Sequence, residues 1–167
     1  MRQRALIAMA ISCNPELLIL DEPTTALDVT IEAQIFEMVD QLMDQYNMGT
    51  LLITHDLAVV AAFCSRVIIM YSGEIVEKND VYSLFDTPLH PYTRGLLQSI
   101  PKIDGRDKTL YSIPGEVPDL ISLPKGCNFA PRCNYARQQC WECKPELETI
   151  DVKQSVACLR FREIDEK

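Results

Sequence analysis

Two short apolar runs punctuate the first third of the chain. Leu17–Leu20 is stopped by Asp21, Glu22 and Pro23, and Leu51–Ile53 by Thr54, His55 and Asp56. Runs of this length closed by breakers predict short buried strands, and the proline, which has no N–H to give to a ladder, ends the first. Between them Ile31, Ile35, Val39, Leu42 and Tyr46 recur at helical spacing, the stripe of an amphipathic helix that Asp28 is placed to cap. Leu57–Phe63 predicts a further helix, with Asp56 as its N-cap. Arg66–Asp80 predicts two strands about a Ser72–Gly73 turn: Val67–Met70 apolar enough to be buried, Glu74–Lys78 alternating as an exposed edge does. Asp80–Phe85 and Tyr92–Ile100 predict short helices, the second introduced by Pro91, which holds His90 extended in a structural role.

From Pro101 the texture changes. Pro101, Pro114, Pro118, Pro124, Pro131 and Pro145 interrupt every helical pattern, so the rest of the chain is expected to be an irregular lobe with little sheet of its own. The expected division is therefore an α/β part over residues 1–100 and a small Cys/Pro-rich lobe over residues 101–167. Asp104–Lys108 reads as a linker and Arg162–Lys167 as a frayed charged end. The chain's 167 residues, 47% hydrophobic and 24% charged, suffice for a modest core with an appendage. A net charge of −8 argues against nonspecific nucleic-acid binding, which depends on neutralising phosphates. Apolar stretches such as Leu57–Phe63 fall far short of the ~20 residues that span a bilayer. No signal peptide or internal repeat is visible.

The chemistry gathers at the strand ends. In open parallel α/β sheets ligands sit outside the carboxyl ends of the strands, where Asp21, Glu22 and His55 lie. In P-loop NTPases an aspartate so placed helps to hold Mg²⁺, and Asp21 suits that role. Side chains alternate along an extended segment, so Glu22 points elsewhere, where a carboxylate can orient or deprotonate water. His55 falls beside Glu22 if the two strands are neighbours, and can donate to a γ-phosphate oxygen. Each residue also has a plainer reading: a solvated acidic turn, a loop histidine satisfied by a carbonyl, and for Asp28 a helix cap. No G-x-x-x-x-G-K-[ST] loop occurs in the sequence, so the chain holds no cradle for the α and β phosphates.

The lobe carries a second candidate site. Five of the seven cysteines, Cys127, Cys133, Cys140, Cys143 and Cys158, follow the spacing C-x5-C-x6-C-x2-C-x14-C. In an acidic chain without a secretory signal, a metal or cluster is favoured over disulfides. One C-x2-C pair is a weak zinc signal, four thiolates around an iron–sulfur cluster tolerate looser spacing, and free thiols are the plain alternative. Cys13 and Cys64 flank apolar stretches and read as small buried residues.

Taken together, LLILDE, TALD and ITHD resemble the Walker B strand with its catalytic glutamate, the D-loop and the switch-histidine loop of ABC transporter ATP-binding subunits, in that family's order and spacing. MRQRALIAMAI resembles what directly follows the LSGG of the ABC signature, which makes Met1 an internal methionine on this reading. HPYTRGLLQSIP, IPGEVPDL and GCNFAPRC resemble the C-terminal extension of dipeptide and oligopeptide importer ATPases, parts of which nickel and other small-solute importers share. The resemblance implies a partial P-loop NTPase sheet with flanking helices, and ATP and Mg²⁺ as ligands. It gives Glu22 and His55 catalytic roles, Asp21 the metal, and Asp28 a place across a dimer interface. It further implies a 4Fe–4S cluster on Cys127, Cys133, Cys140 and Cys158, with zinc as the alternative and Cys143 outside the set.

The implied partners are a second ATPase subunit and two membrane permease subunits on the cytoplasmic face, with an extracytoplasmic peptide-binding protein acting indirectly. Without a phosphate cradle, the chain alone is expected to be inactive towards ATP. Two other classes compete with this reading: a non-catalytic module whose working part is the cysteine lobe, and a gene fragment with no function of its own.

Overall fold

The structure, a computed structural model, describes residues 2–24, 28–100 and 111–164. It is mixed α/β, with one parallel and one antiparallel sheet, divided into two compact units, Met1–Phe63 and Cys64–Lys167.

In the first unit, helix α1 (Arg2–Ile11) leads to strand β1 (Leu17–Asp21), helix α2 (Val29–Tyr46), strand β2 (Gly49–Ile53) and helix α3 (Leu57–Phe63). The strands pair in parallel, with Leu17 opposite Gly49 and Asp21 opposite Ile53. That register brings the polar ends of both apolar runs to one edge. Asp28 does cap α2: its Oδ1 accepts the Ile31 N–H at 2.9 Å. Helix α2 ends where Asn47 turns left-handed at φ 49 and its N–H returns to the Met43 carbonyl, a local closure that suits Asn. Ile7, Leu18, Leu20, Ile35, Val39 and Met48 form the core, and Phe36 stacks on Phe63 with centroids 4.8 Å apart. β1 is buried on one face only and β2 is half-buried on one face. Leu17, Ile19, Leu51 and Ile53 are exposed on the other, as are Ile31 and Tyr46 at the ends of the helical stripe.

In the second unit, β3 (Arg66–Tyr71) and β4 (Glu74–Asp80) form the expected hairpin, with a bulge at Ile69/Met70. Ser72 and Gly73 both take positive φ, 48 and 79, which is why glycine suits the turn. Helices α4 (Val81–Asp86) and α5 (Pro91–Gln98) follow, then a 3₁₀ turn at Ala130–Arg132, α6 (Gln138–Glu142), β5 (Glu148–Thr149), β6 (Ser155–Val156) and α7 (Phe161–Ile164).

Several expectations are corrected here. The alternating Glu74–Lys78 segment is not an edge: β4 lies inside the order β3-β4-β6-β5, with Val76 and Glu77 buried. The lobe does have little sheet of its own, its two short strands extending the hairpin's sheet. Phe161 and Ile164 are buried in α7, so the charged end is anchored as far as Ile164. Cys13 is exposed and Cys64 half-buried. Val67 and Ile69 are buried, but Ile68 and Met70 are not. Thr25–Leu27 of the TALD segment and the expected linker Asp104–Lys108 lie outside the described residues.

Candidate functional site

At the carboxyl end of the parallel pair, the Glu22 N–H continues the ladder by donating to the Ile53 carbonyl at 2.9 Å. Glu22 then takes φ 42, a left-handed conformation that costs a side-chain-bearing residue free energy. Its Oε1 stands 3.1 Å from Nδ1 of His55. Both side chains are open to solvent, His55 at 81% and Glu22 at 48% exposure. On the neighbouring strand end, the Thr54 hydroxyl accepts the Asp56 N–H at 3.0 Å and Asp56 Oδ1 accepts the Ala58 N–H at 2.7 Å. These two local bonds fix the turn that carries His55 and start α3, as a side-chain cap does. Asp21 ends β1 and is exposed.

The structure thus brings Glu22 and His55 together beside Asp21, and places Asp28 at the start of α2. The arrangement offers solvent a carboxylate in contact with an imidazole and a second carboxylate one residue away. Such a group can polarise a water molecule or take its proton.

The lobe brings four of its five cysteines within electrostatic reach of one another. Burial, then the charges of Cys127, Cys133 and Cys140, pushes the Cys158 thiol up to about 11, although an N–H from Arg160 opposes the rise. Burial likewise raises Cys127, which also feels Cys140 and Glu74. It raises Cys133 too, which feels Cys127 and Cys140. Cys143, at the end of α6, is exposed and is not among the charges felt by these three. Among the described residues no three His, Cys, Asp or Glu side chains stand close enough to share one metal ion. The convergence depends on Gly126. A Cβ there would lie 2.3 Å from the Cys140 carbonyl oxygen and 2.6 Å from the Trp141 carbonyl carbon. The adjoining Cys127 N–H donates to that same oxygen at 2.8 Å.

Sequence reasoning missed the support beneath α5. Glu77, fully buried, accepts the N–H of Leu89 on Oε1 at 3.0 Å and that of His90 on Oε2 at 2.9 Å. His90 has the extended backbone expected before a proline, and its Nδ1 accepts the Tyr92 N–H at 3.0 Å. Burial lowers the His90 imidazole to about 3. Its ring joins Phe129, Tyr92 and Tyr71 in an aromatic cluster.

Among the described residues no helix is long and apolar enough to cross a membrane. Residues 76–140 match the family described as the oligopeptide/dipeptide transporter C-terminal region. Across 98% of its length the chain is 54% identical to the oligopeptide transport ATP-binding protein AppD of Bacillus subtilis, of which it covers 50%. It is 52% identical to a probable peptide ABC transporter ATP-binding protein of Sinorhizobium fredii, with 98% of the chain and 49% of that protein aligned. Against the oligopeptide transport ATP-binding protein OppD of Escherichia coli it is 46% identical, over 99% of the chain and 48% of that protein. The chain spans about half the length of the curated relatives it matches. With one half of such a protein matched almost end to end and residues 76–140 matching the transporter C-terminal region, the chain is similar over nearly its whole length to the ATP-binding proteins of oligopeptide and dipeptide transporters.

Proposed function

We propose that this chain is the part of a peptide-importer ATPase that handles the attacking water and the γ-phosphate, within a partial P-loop NTPase sheet. The Glu22–His55 contact across the strand ends, at 3.1 Å, carries the reading. In it Glu22 is the general base that orients and deprotonates water, and His55 holds Glu22 in place and donates to the γ-phosphate. Asp21 supplies a hard carboxylate oxygen at the strand end, the kind of ligand Mg²⁺ takes alongside substrate phosphates. That ion would neutralise charge developing on the phosphates. Asp28 faces a second ATPase subunit while capping α2. The division of labour places hydrolysis in residues 1–100 and the family extension in residues 101–167. The partners are a second ATPase subunit, two membrane permease subunits at the cytoplasmic face, and indirectly an extracytoplasmic peptide-binding protein.

The test is a chimera joining this chain to the half of AppD that it does not match. Glu22→Gln in that chimera should keep Mg-ATP binding and lose ~10²–10⁴ in hydrolysis rate. Near-parental turnover would remove Glu22 from the role.

We further propose that the lobe's four thiols, Cys127, Cys133, Cys140 and Cys158, hold a 4Fe–4S cluster, with zinc as the alternative. A zinc ion draws four sulfurs to ~2.3 Å from one point. A 4Fe–4S core spreads its cysteine ligands over several irons. Thiols that burial and mutual charge push upward gain from a cationic centre that stabilises them as thiolates. Protein purified without oxygen should be brown. Cys133→Ser should abolish the colour and Cys143→Ser should leave it, whereas colourless protein with one zinc, lost on Cys143→Ser, would overturn the cluster.

A further inference from the structure

A cavity of about 180 Å³ lies between the start of β4 and the Cys127–Phe129 turn. Engineered cavities of about 150 Å³ admit benzene, so this one has room for a ligand of comparable or slightly larger size. Its walls include Val76, Phe129 and Ala157, all buried and apolar. Its polar lining comprises Tyr71, the Cys127 thiol and three groups that engage one another. Glu74 and Lys144 form an ion pair, and Asn128 Nδ2 donates to Glu74 Oε2 at 3.0 Å. The other end of the Asn128 amide, Oδ1, is buried with no hydrogen-bond partner among the described residues, on a residue only 5% exposed. An orphaned buried acceptor calls for a donor.

We propose that this cavity binds a small zwitterion with an apolar side chain, of the free α-amino acid class. The ligand's ammonium group donates to Glu74 and to the orphaned Asn128 Oδ1. Its carboxylate takes the Lys144 ammonium that Glu74 releases, and its side chain lies against Val76, Phe129 and Ala157. The exchange conserves charge. A lone amine would leave Lys144 unpaired, and a lone carboxylate would leave Glu74 unpaired, each of which costs affinity at a partly desolvated site.

The experiment is calorimetry on the full 167-residue chain with L-leucine, 3-methylbutylamine (leucine without its carboxylate) and 4-methylpentanoate (leucine without its ammonium). At ordinary efficiency a ligand of about nine heavy atoms, as leucine is, binds at roughly millimolar Kd. Leucine should saturate in that range, with both single-charge analogues about tenfold weaker or worse. Glu74 and Lys144 are 40% and 53% exposed, so Glu74→Gln and Lys144→Met should fold, as circular dichroism checks, and each should weaken leucine by a similar factor. Absence of saturable leucine binding to folded chain would overturn the proposal. So would an analogue equal to leucine, or a variant that binds leucine as the parent does. No nucleotide enters these measurements, so their outcome is separate from the ATPase reading.

Discussion

Replacing Glu77 by Gln is nearly isosteric, yet it should be among the most damaging single changes in the second unit. Both carboxylate oxygens are used, one on the Leu89 N–H and one on the His90 N–H, and the side chain has no contact with water. The amide keeps one acceptor and turns a donor towards the other N–H. A buried donor left without a partner costs ~1–3 kcal/mol, and the surviving bond falls from the charge-assisted range, ~1.5–3, to the neutral one, ~0.5–1.5. The sum is about 2–4 kcal/mol, a large part of a small domain's stability. Glu77→Leu strands both N–H groups and should cost more. The assay is urea unfolding followed by the fluorescence of Trp141, the sole tryptophan, which lies in the same unit. An unchanged m-value with a lowered midpoint would locate the loss in the folded state. A Glu77→Gln protein within about 0.5 kcal/mol of the parent would refute the reasoning, as would a Leu variant more stable than the Gln one.

Acid should weaken this unit through His90. Its folded value, about 3, lies below the unfolded 6.5, so the neutral ring's stabilisation is complete above pH 6.5. It is lost as pH falls towards 3, with ~2 kcal/mol gone by pH 5 at ~1.4 kcal/mol per unit. His90→Asn, which can still cap α5, should flatten that slope in unfolding titrations. Gly126→Ala should cost ~1–3 kcal/mol by overpacking against Cys140 and Trp141, read from the Trp141 transition. Calorimetry of the 167-residue chain should show no micromolar Mg-ATP affinity, because its sequence lacks a G-x-x-x-x-G-K-[ST] loop; micromolar binding would disprove that.

The parallel pair and its flanking helices were readable because each apolar run ends in breakers and α2 carries both its stripe and its cap within one stretch of chain. The approach of His55 to Glu22 also followed, since both sit just past strands that pair in register. What local pattern could not give was the partner of β4. Glu77 looks like part of an exposed alternating edge, but β6, far along the chain, pairs with that edge. A carboxylate in an apolar alternation signals a buried anchor only when the N–H groups it must satisfy are known, and here they lie 12 and 13 residues on. Cysteine spacing likewise suggested a shared site but could not show which thiols meet. The exposure of Cys13 follows from its place after α1, where the chain turns at Asn14 with φ 49.

The left-handed backbone at Glu22 sets two selective pressures against each other at one codon. A residue with a Cβ pays ~1–2 kcal/mol for that conformation, while Asn or Gly enters it readily. A library at this position sorted only for resistance to heat or protease should therefore enrich Asn and Gly. The same library sorted for turnover, once joined to a phosphate-binding half, should return Glu. The separation between the two populations would measure how much robustness the protein forgoes to keep a carboxylate at that bend.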